Sequence, residues 1–359
     1  MIFVMKAARL TGIRQVRIDD VADPGVPGVG EVLLRVEVVG VCGSDMHYYR
    51  TGRIGSQVVT YPFTVGHECA GTVMAVGPVS PGHAGPVLAA GDRVAVDPLM
   101  ACEQCDQCHA GREHTCRRQR FLGCPGQAEG ALSEFLVMPA RCCFPLPPTM
   151  SFVQATLAEP FAIGLYTYRL WKRACGQEHT PGPLLILGCG PIGLSVLAAA
   201  KADDPGRAVF MSDLRDCRLE MARRMGADWV GNPTRLDLLA TLRQAAELGF
   251  AAAFECAGEQ ETIDQALELL GPGGRLMLVG IPEADRVSFR PDVMRRKELM
   301  LHNVRRQNQC AADAVAMIAD GTINLDAMVT HEFDFAQTAK AFELVADYAD
   351  DVVKAMIWL

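Results

Sequence analysis

Positive charge is scarce in this sequence. Its 359 residues hold 34 Lys and Arg against 42 Asp and Glu, a net charge of −8. Binding to a phosphate backbone wants a basic face, so nucleic acid is excluded as an expected partner. A long apolar run is lacking too. The longest uncharged stretch, Thr180 to Ala200, carries three prolines and four glycines in a turn-like block, which argues against a spanning helix. The opening Met1-Ile2-Phe3-Val4-Met5-Lys6 is too short for a secretory apolar region. Internal repeats and low-complexity tracts are missing as well. Together these absences predict a cytoplasmic protein, off the membrane, that handles small molecules.

What is present is globular composition, 50% hydrophobic and 21% charged, on a chain long enough for two domains. Residues 1 to about 160 are rich in glycine, proline and β-branched residues, with strand-like runs at Glu31 to Val39, Cys69 to Val76 and Arg93 to Asp97. They read as an irregular all-β region, and the proline-rich Cys142 to Met150 as a connection. From Pro183 apolar strand runs alternate with helical patterns: Leu184 to Leu187, Ile192 to Ala202, Ala208 to Ser212, Leu214 to Met225, and onward to Arg275 to Val279. Continuous apolar strands separated by helices predict a parallel sheet covered on both faces.

The turn after Leu184-Leu185-Ile186-Leu187 reads G-x-G-x-x-G at Gly188, Gly190 and Gly193. Gly188 suits the tight turn, Gly190 lets the backbone approach a pyrophosphate, and Gly193 lets helix and strand pack closely. Asp213 lies twenty residues beyond Gly193, where an acid bonding a ribose 2′-hydroxyl is expected, and it favours NAD over NADP. Arg218 is an arginine that could accommodate a 2′-phosphate; with Asp213 an unfavourable neighbour for phosphate, the preferred reading is that it packs over the adenine or lies on a solvated helix face.

Cysteine is plentiful, with fourteen in the chain. In a cytosolic setting they read as ligands or buried thiols before disulfides. Cys102, Cys105, Cys108 and Cys116 form C-x2-C-x2-C-x7-C, a closed thiolate set suited to a structural Zn2+. An iron–sulfur reading fits less well, because no second cysteine group and no following proline are present. Elsewhere, Cys42-Gly43-Ser44-Asp45-Met46-His47-Tyr48 and Gly66-His67-Glu68 hold residue types that can bind metal or carry protons; taken singly, His67 reads equally as an ordinary hydrogen-bonded histidine and Cys42 as a small core residue.

With these motifs in this order, the chain resembles the zinc-dependent medium-chain alcohol dehydrogenase family. The resemblance implies a chaperonin-10-like (GroES-like), mostly β catalytic domain over residues 1–162 and 304–359. It implies a Rossmann domain, a doubly wound parallel sheet, over 163–303, with the active site in the cleft between the two. It implies that Cys42 and His67 bind a catalytic zinc, making two Zn2+ per chain, and that NAD is the cofactor. Ile192, Val279, Gly280 and Ile281 join the cofactor-binding set, and Ser44 and His47 the proton path. Where other alcohol dehydrogenases of the family carry a second cysteine, this chain reads Ala158-Glu159-Pro160-Phe161. That departure is similar to the sorbitol (polyol) dehydrogenase branch and to butanediol dehydrogenases. In the polyol branch the position of Glu68 is a ligand and that of Glu159 contacts zinc through water; direct and water-mediated contact are both open here. Glu159 is also an alternative proton carrier. The branch implies substrate contacts from Tyr48, Phe121 and Arg305, a polyol substrate such as sorbitol or xylitol, and a homotetramer. A 2,3-diol, L-threonine or sugar-acid dehydrogenase, and a non-catalytic NAD-binding relative, are the competing readings.

Overall fold

Within Glu31–Gly40, Val32, Leu34 and Val36 alternate with Glu31, Leu33 and Arg35. Period two puts the first three on one face of a strand, and all three are buried in the computed structural model. The structure describes residues 4–79, 85–176 and 182–359. Met1-Ile2-Phe3 of the opening stretch and Thr180-Pro181 of the long uncharged stretch lie outside these residues. The chain divides into two compact units, residues 1–159 with 311–359, and residues 160–310.

In the first unit Glu31–Gly40 lies inside a seven-stranded sheet. Glu68–Val76 pairs with it antiparallel, and Arg93–Val96 and Cys143–Pro145 follow outward. Lys354–Trp358 pairs on the other flank, with Val329–Asp334 beyond it, and Phe135–Pro139 also joins Glu31–Gly40. Leu34, Leu132, Met138, Phe342 and Ile357 are among the side chains that fill the core. Two findings correct the sequence reading. Residues 143–145 are a strand and not a bare connection; at the edge of the sheet, Pro145 forfeits no ladder bond on its outer side. The region read as all-β also contains helices Gly43–Thr51 and, at its end, Phe152–Cys175. The first hides because its buried face, Asp45, Met46, Tyr48 and Tyr49, includes a carboxylate and so does not read as an apolar stripe. The second runs through Pro160, whose missing N–H cannot serve the Thr156 carbonyl.

The second unit is built on a six-stranded parallel sheet. Its order is Trp229–Gly231, Val209–Ser212, Leu184–Leu187, Phe250–Glu255, Leu270–Leu278, Met300–Asn303. Leu184–Leu187 and Phe250–Glu255 are buried along their whole length, as a sheet covered on both faces requires. The chain leaves Leu184–Leu187 toward Val209–Ser212 on one side, then returns to lay Phe250–Glu255 on the other. That reversal is a topological switch point, where ligands of such sheets bind beyond the strand carboxyl ends. Among the described residues no helix is long and apolar enough to cross a membrane.

Candidate active site

Cys42 is the N-cap of helix Gly43–Thr51 and has an extended backbone. Its amide donates to Asp45 Oδ2 at 3.2 Å, and the other Asp45 oxygen faces the Gly66 amide at 3.3 Å and His67 Nδ1 at 3.5 Å. One buried carboxylate therefore couples the two motifs and orients the imidazole, the usual support for a metal-ligating histidine. His67 and Glu68 enter at the start of strand Glu68–Val76, where Glu68 pairs with Gly40. The ligand atoms of Cys42, His67 and Glu68 all lie within 4.8 Å of one another. Thiolate, imidazole and carboxylate are the donor set of an open zinc site. Glu159, on helix Phe152–Cys175, stands outside this group of three. It is nonetheless buried, its Oε2 has no hydrogen-bond partner among the described residues, and burial, only partly opposed by His67, pushes its carboxyl up to about 8. A buried polar oxygen without a partner is costly whether the carboxyl is protonated or ionised, so this is a place for a bound polar group.

Ser44 and His47, half-buried, lie three residues apart on the helix, and the Ser44 hydroxyl donates to Cys42 Sγ at 3.4 Å. The Phe121 ring sits 5.5 Å from that of His67. Burial alone would lower the His67 pKa, but Asp45 and Cys42 raise it well above the ordinary value. Lys354, from strand Lys354–Trp358, donates to Glu68 Oε2 and to the Val41 carbonyl at 3.0 Å. Both members of this ion pair are 1% exposed.

The second group is closed. Sulfur–sulfur separations are 3.6 Å for Cys105–Cys108, 3.8 Å for Cys105–Cys116 and 4.0 Å for Cys102–Cys108. They exclude disulfides, and all four cysteines are free. A tetrahedron with Zn–S of about 2.3 Å has edges of about 3.8 Å, so the four thiols fit the ion. The Gln104 amide is the main cause that lowers Cys102 to about 6, whereas burial pushes Cys108 up to about 12. A bound cation is what would hold all four as thiolates together.

In the second unit Gly188 turns at φ +100, Gly190 caps helix Pro191–Asp203, and Ile192 and Gly193 lie in its first turn. A Cβ on Gly193 would collide with the Gly188 carbonyl, so only glycine lets helix and turn meet. A Cβ on Gly190 would have only an Arg218 nitrogen nearby, at 3.7 Å, which leaves the cradle open to a phosphate. Asp213 follows strand Val209–Ser212; its carboxylate accepts from the Cys189 amide at 2.7 Å and the Arg215 amide at 2.8 Å. Each oxygen keeps a further lone pair for a ribose hydroxyl.

Residues 28–148 match the alcohol dehydrogenase GroES-like domain, and residues 191–320 match the zinc-binding dehydrogenase domain. A sorbitol dehydrogenase of Bacillus subtilis is 33% identical over 99% of this chain and 97% of its own length. The chain belongs to the zinc-dependent medium-chain dehydrogenase family. An L-idonate 5-dehydrogenase of Vitis vinifera is 32% identical over 95% of the chain and 91% of its own. Two solved structures carry nicotinamide cofactors. An alcohol dehydrogenase of Escherichia coli in complex with NADH has a TM-score of 0.85, 28% identity and 99% coverage of both chains. A zinc-binding dehydrogenase of Sinorhizobium meliloti bound to NADP has a TM-score of 0.85 and 27% identity, covering 99% of this chain and all of its own.

For this dehydrogenase, sequence reasoning left Asp45 and Lys354 without a role. Asp45 stood inside a quoted motif, but an acid in a first helical turn reads equally as dipole compensation. Lys354 is 286 residues from Glu68, and no local pattern joins them. Tyr48 is buried, its hydroxyl donating to Gln57 Oε1 at 3.3 Å, and Arg305 follows strand Met300–Asn303 in the second unit. The Lys354 pair has a measurable consequence. In zinc-stripped protein, Lys354→Met leaves Glu68 as an uncompensated buried charge and is expected to lower stability by about 3 kcal/mol or more. Chemical denaturation followed by tryptophan fluorescence measures this, and unchanged stability would remove the pair from the account.

Proposed function

We propose that this dehydrogenase oxidises a secondary hydroxyl of a polyol, such as sorbitol or xylitol, to a ketose, with NAD accepting the hydride. The observation that carries the reading is the bare, buried Oε2 of Glu159 beside the metal-binding group. A substrate with adjacent hydroxyls brings that oxygen a hydrogen-bond partner; a simple alcohol leaves it unpaired. Similarity to a sorbitol dehydrogenase along the whole chain supports the same class. Similarity to an L-idonate 5-dehydrogenase makes a sugar acid the second reading.

Cys42, His67 and Glu68 would hold the catalytic zinc, which when bound polarises the reacting hydroxyl oxygen. Asp45 holds the imidazole in the orientation a ligand needs. Ser44 and His47, on one face of their helix, carry the hydroxyl proton outward. Glu159 receives a neighbouring hydroxyl, and Tyr48, Phe121 and Arg305 meet the rest of the substrate. Gly188, Gly190, Ile192, Gly193, Asp213, Arg218, Val279, Gly280 and Ile281 take the cofactor. Membership of this family also supports a homotetramer acting in the cytoplasm.

Initial rates over sorbitol, xylitol, 2,3-butanediol, threonine, idonate and ethanol test the substrate class. A polyol should exceed ethanol in kcat/KM by at least about 100-fold; parity overturns the reading, and idonate ahead of every polyol selects the sugar-acid alternative. Cofactor choice is tested separately. NAD should be preferred, and Asp213→Ser should narrow the NAD-to-NADP ratio of kcat/KM by about tenfold or more. Equal turnover of the parent enzyme with both cofactors counts against the role given to Asp213.

A further inference from the structure

Glu255 has no place in the chemistry above, yet its side chain is buried at the carboxyl end of strand Phe250–Glu255. This strand forms one flank of the switch point, with Leu184–Leu187 as the other. A dinucleotide at such a reversal spans it, one half on each side. The Gly188 turn and Asp213 mark the pyrophosphate and the adenosine half. The ends of Phe250–Glu255 and Leu270–Leu278 therefore face the nicotinamide half.

Glu255 binds both segments that leave those ends. Its Oε1 accepts from the Ala257 amide, the Gly258 amide and the Thr262 hydroxyl, each at 2.8 Å. Its main-chain oxygen accepts from Val279 at 2.9 Å and Gly280 at 2.8 Å. The two segments press on each other at their glycines. Gly258 has φ +79, and a Cβ there would lie 2.6 Å from the Ile281 carbonyl oxygen. A Cβ on Gly280 would collide with the Gly258 amide and lie 2.8 Å from Glu255 Oε2. The same turn borders the fingerprint, since a Cβ on Gly188 would stand 3.0 Å from the Cys256 carbonyl carbon. Three donors converging on one buried oxygen make a fixed tether, because releasing any of them leaves a buried polar group unpaired.

We propose that Glu255 is a positioning residue for the nicotinamide half of the cofactor. Its side chain fixes the backbone of residues 256–258, the segment against which Gly280 and Ile281 press, and so shapes the wall on which that half lies, without touching a reacting atom. Zinc-loaded, full-length variants test this by equilibrium titration with NADH and, separately, with ADP-ribose, which lacks the nicotinamide. Glu255→Leu removes the acceptor, Glu255→Gln retains one acceptor oxygen, and Thr262→Val removes one donor. The Kd for NADH should rise about tenfold in Glu255→Leu, about threefold in Thr262→Val and less in Glu255→Gln, while the Kd for ADP-ribose stays within about twofold. Should Glu255→Leu fail to fold, Thr262→Val carries the same comparison. Unchanged NADH affinity overturns the proposal. So does an equal loss for both ligands, the mark of general loosening, and so does Glu255→Gln matching Glu255→Leu.

Discussion

His67→Ala is expected to lower kcat/KM at least about 10^4-fold and to reduce the zinc content from two ions per chain to one. The side chain is one of three donors whose ligand atoms lie within 4.8 Å, and it is the only nitrogen among them. Alanine leaves a thiolate and a carboxylate, two negative groups that repel each other and cannot close three-point coordination. The Lewis acid is lost with the ion. A metal lowers the pKa of a coordinated hydroxyl by several units, and each unit is worth about 1.36 kcal/mol, or tenfold in rate, so three units account for about a thousandfold. Loss of substrate orientation at the metal adds to this. Folding should survive, because the ring's contacts are with Asp45, the Cys42 thiol and the Phe121 ring, and it is no part of the apolar core cluster. Metal analysis, circular dichroism and initial rates on one preparation decide the matter. A variant that keeps two zinc ions and a tenth of the parental rate would show that the chemistry lies elsewhere.

The second large effect is on stability. Cys116→Ser should release the structural zinc and lower Tm by about 10 °C, while freshly prepared enzyme keeps most of its specific activity. The lobe from Cys102 to Cys116 holds only the short helices Asp106–His109 and Glu113–Thr115, and few of its side chains are buried. With so little apolar surface to bury, the four sulfurs must supply what a core would otherwise supply. Serine offers a hard, neutral oxygen in place of a thiolate, and the Cys102 and Arg118 amides lose the sulfur they point to at 3.3 and 3.4 Å. About 3 kcal/mol lost from a domain of roughly 200 residues moves Tm by about 10 °C. Scanning calorimetry with metal analysis and limited proteolysis is the measurement. Normal Tm and full zinc content in the variant would mean that the lobe does not depend on its metal.

The motifs legible in the sequence are those closed by short chain segments. Four cysteines within fifteen residues can meet around one ion with little loop to close. The glycines at 188, 190 and 193 act within a single turn, and their roles follow from backbone sterics alone, as the collision of a Cβ on Gly193 with Gly188 shows. The parallel sheet was legible for a related reason. Leu184–Leu187 and Phe250–Glu255 are buried on both faces, and such strands read as unbroken apolar runs. Helix Gly43–Thr51 was not legible, since its buried face includes Asp45 and carries no 3.6-residue apolar period.

By itself, then, the sequence determined the donor types, the closed four-cysteine cluster and the strand–turn–helix with its glycine fingerprint, because each depends on residue identity at short range. Only the tertiary structure decided which charge answers which. It set Lys354 against Glu68 across 286 residues, aimed Asp45 at His67, left Glu159 Oε2 bare, and used Glu255 to bind two loop segments from separate strand ends. These are long-range choices. They arise where strands distant in the chain are brought into register, Gly40 opposite Glu68 and Glu255 beside Leu278, and no local propensity records that register before the sheet exists.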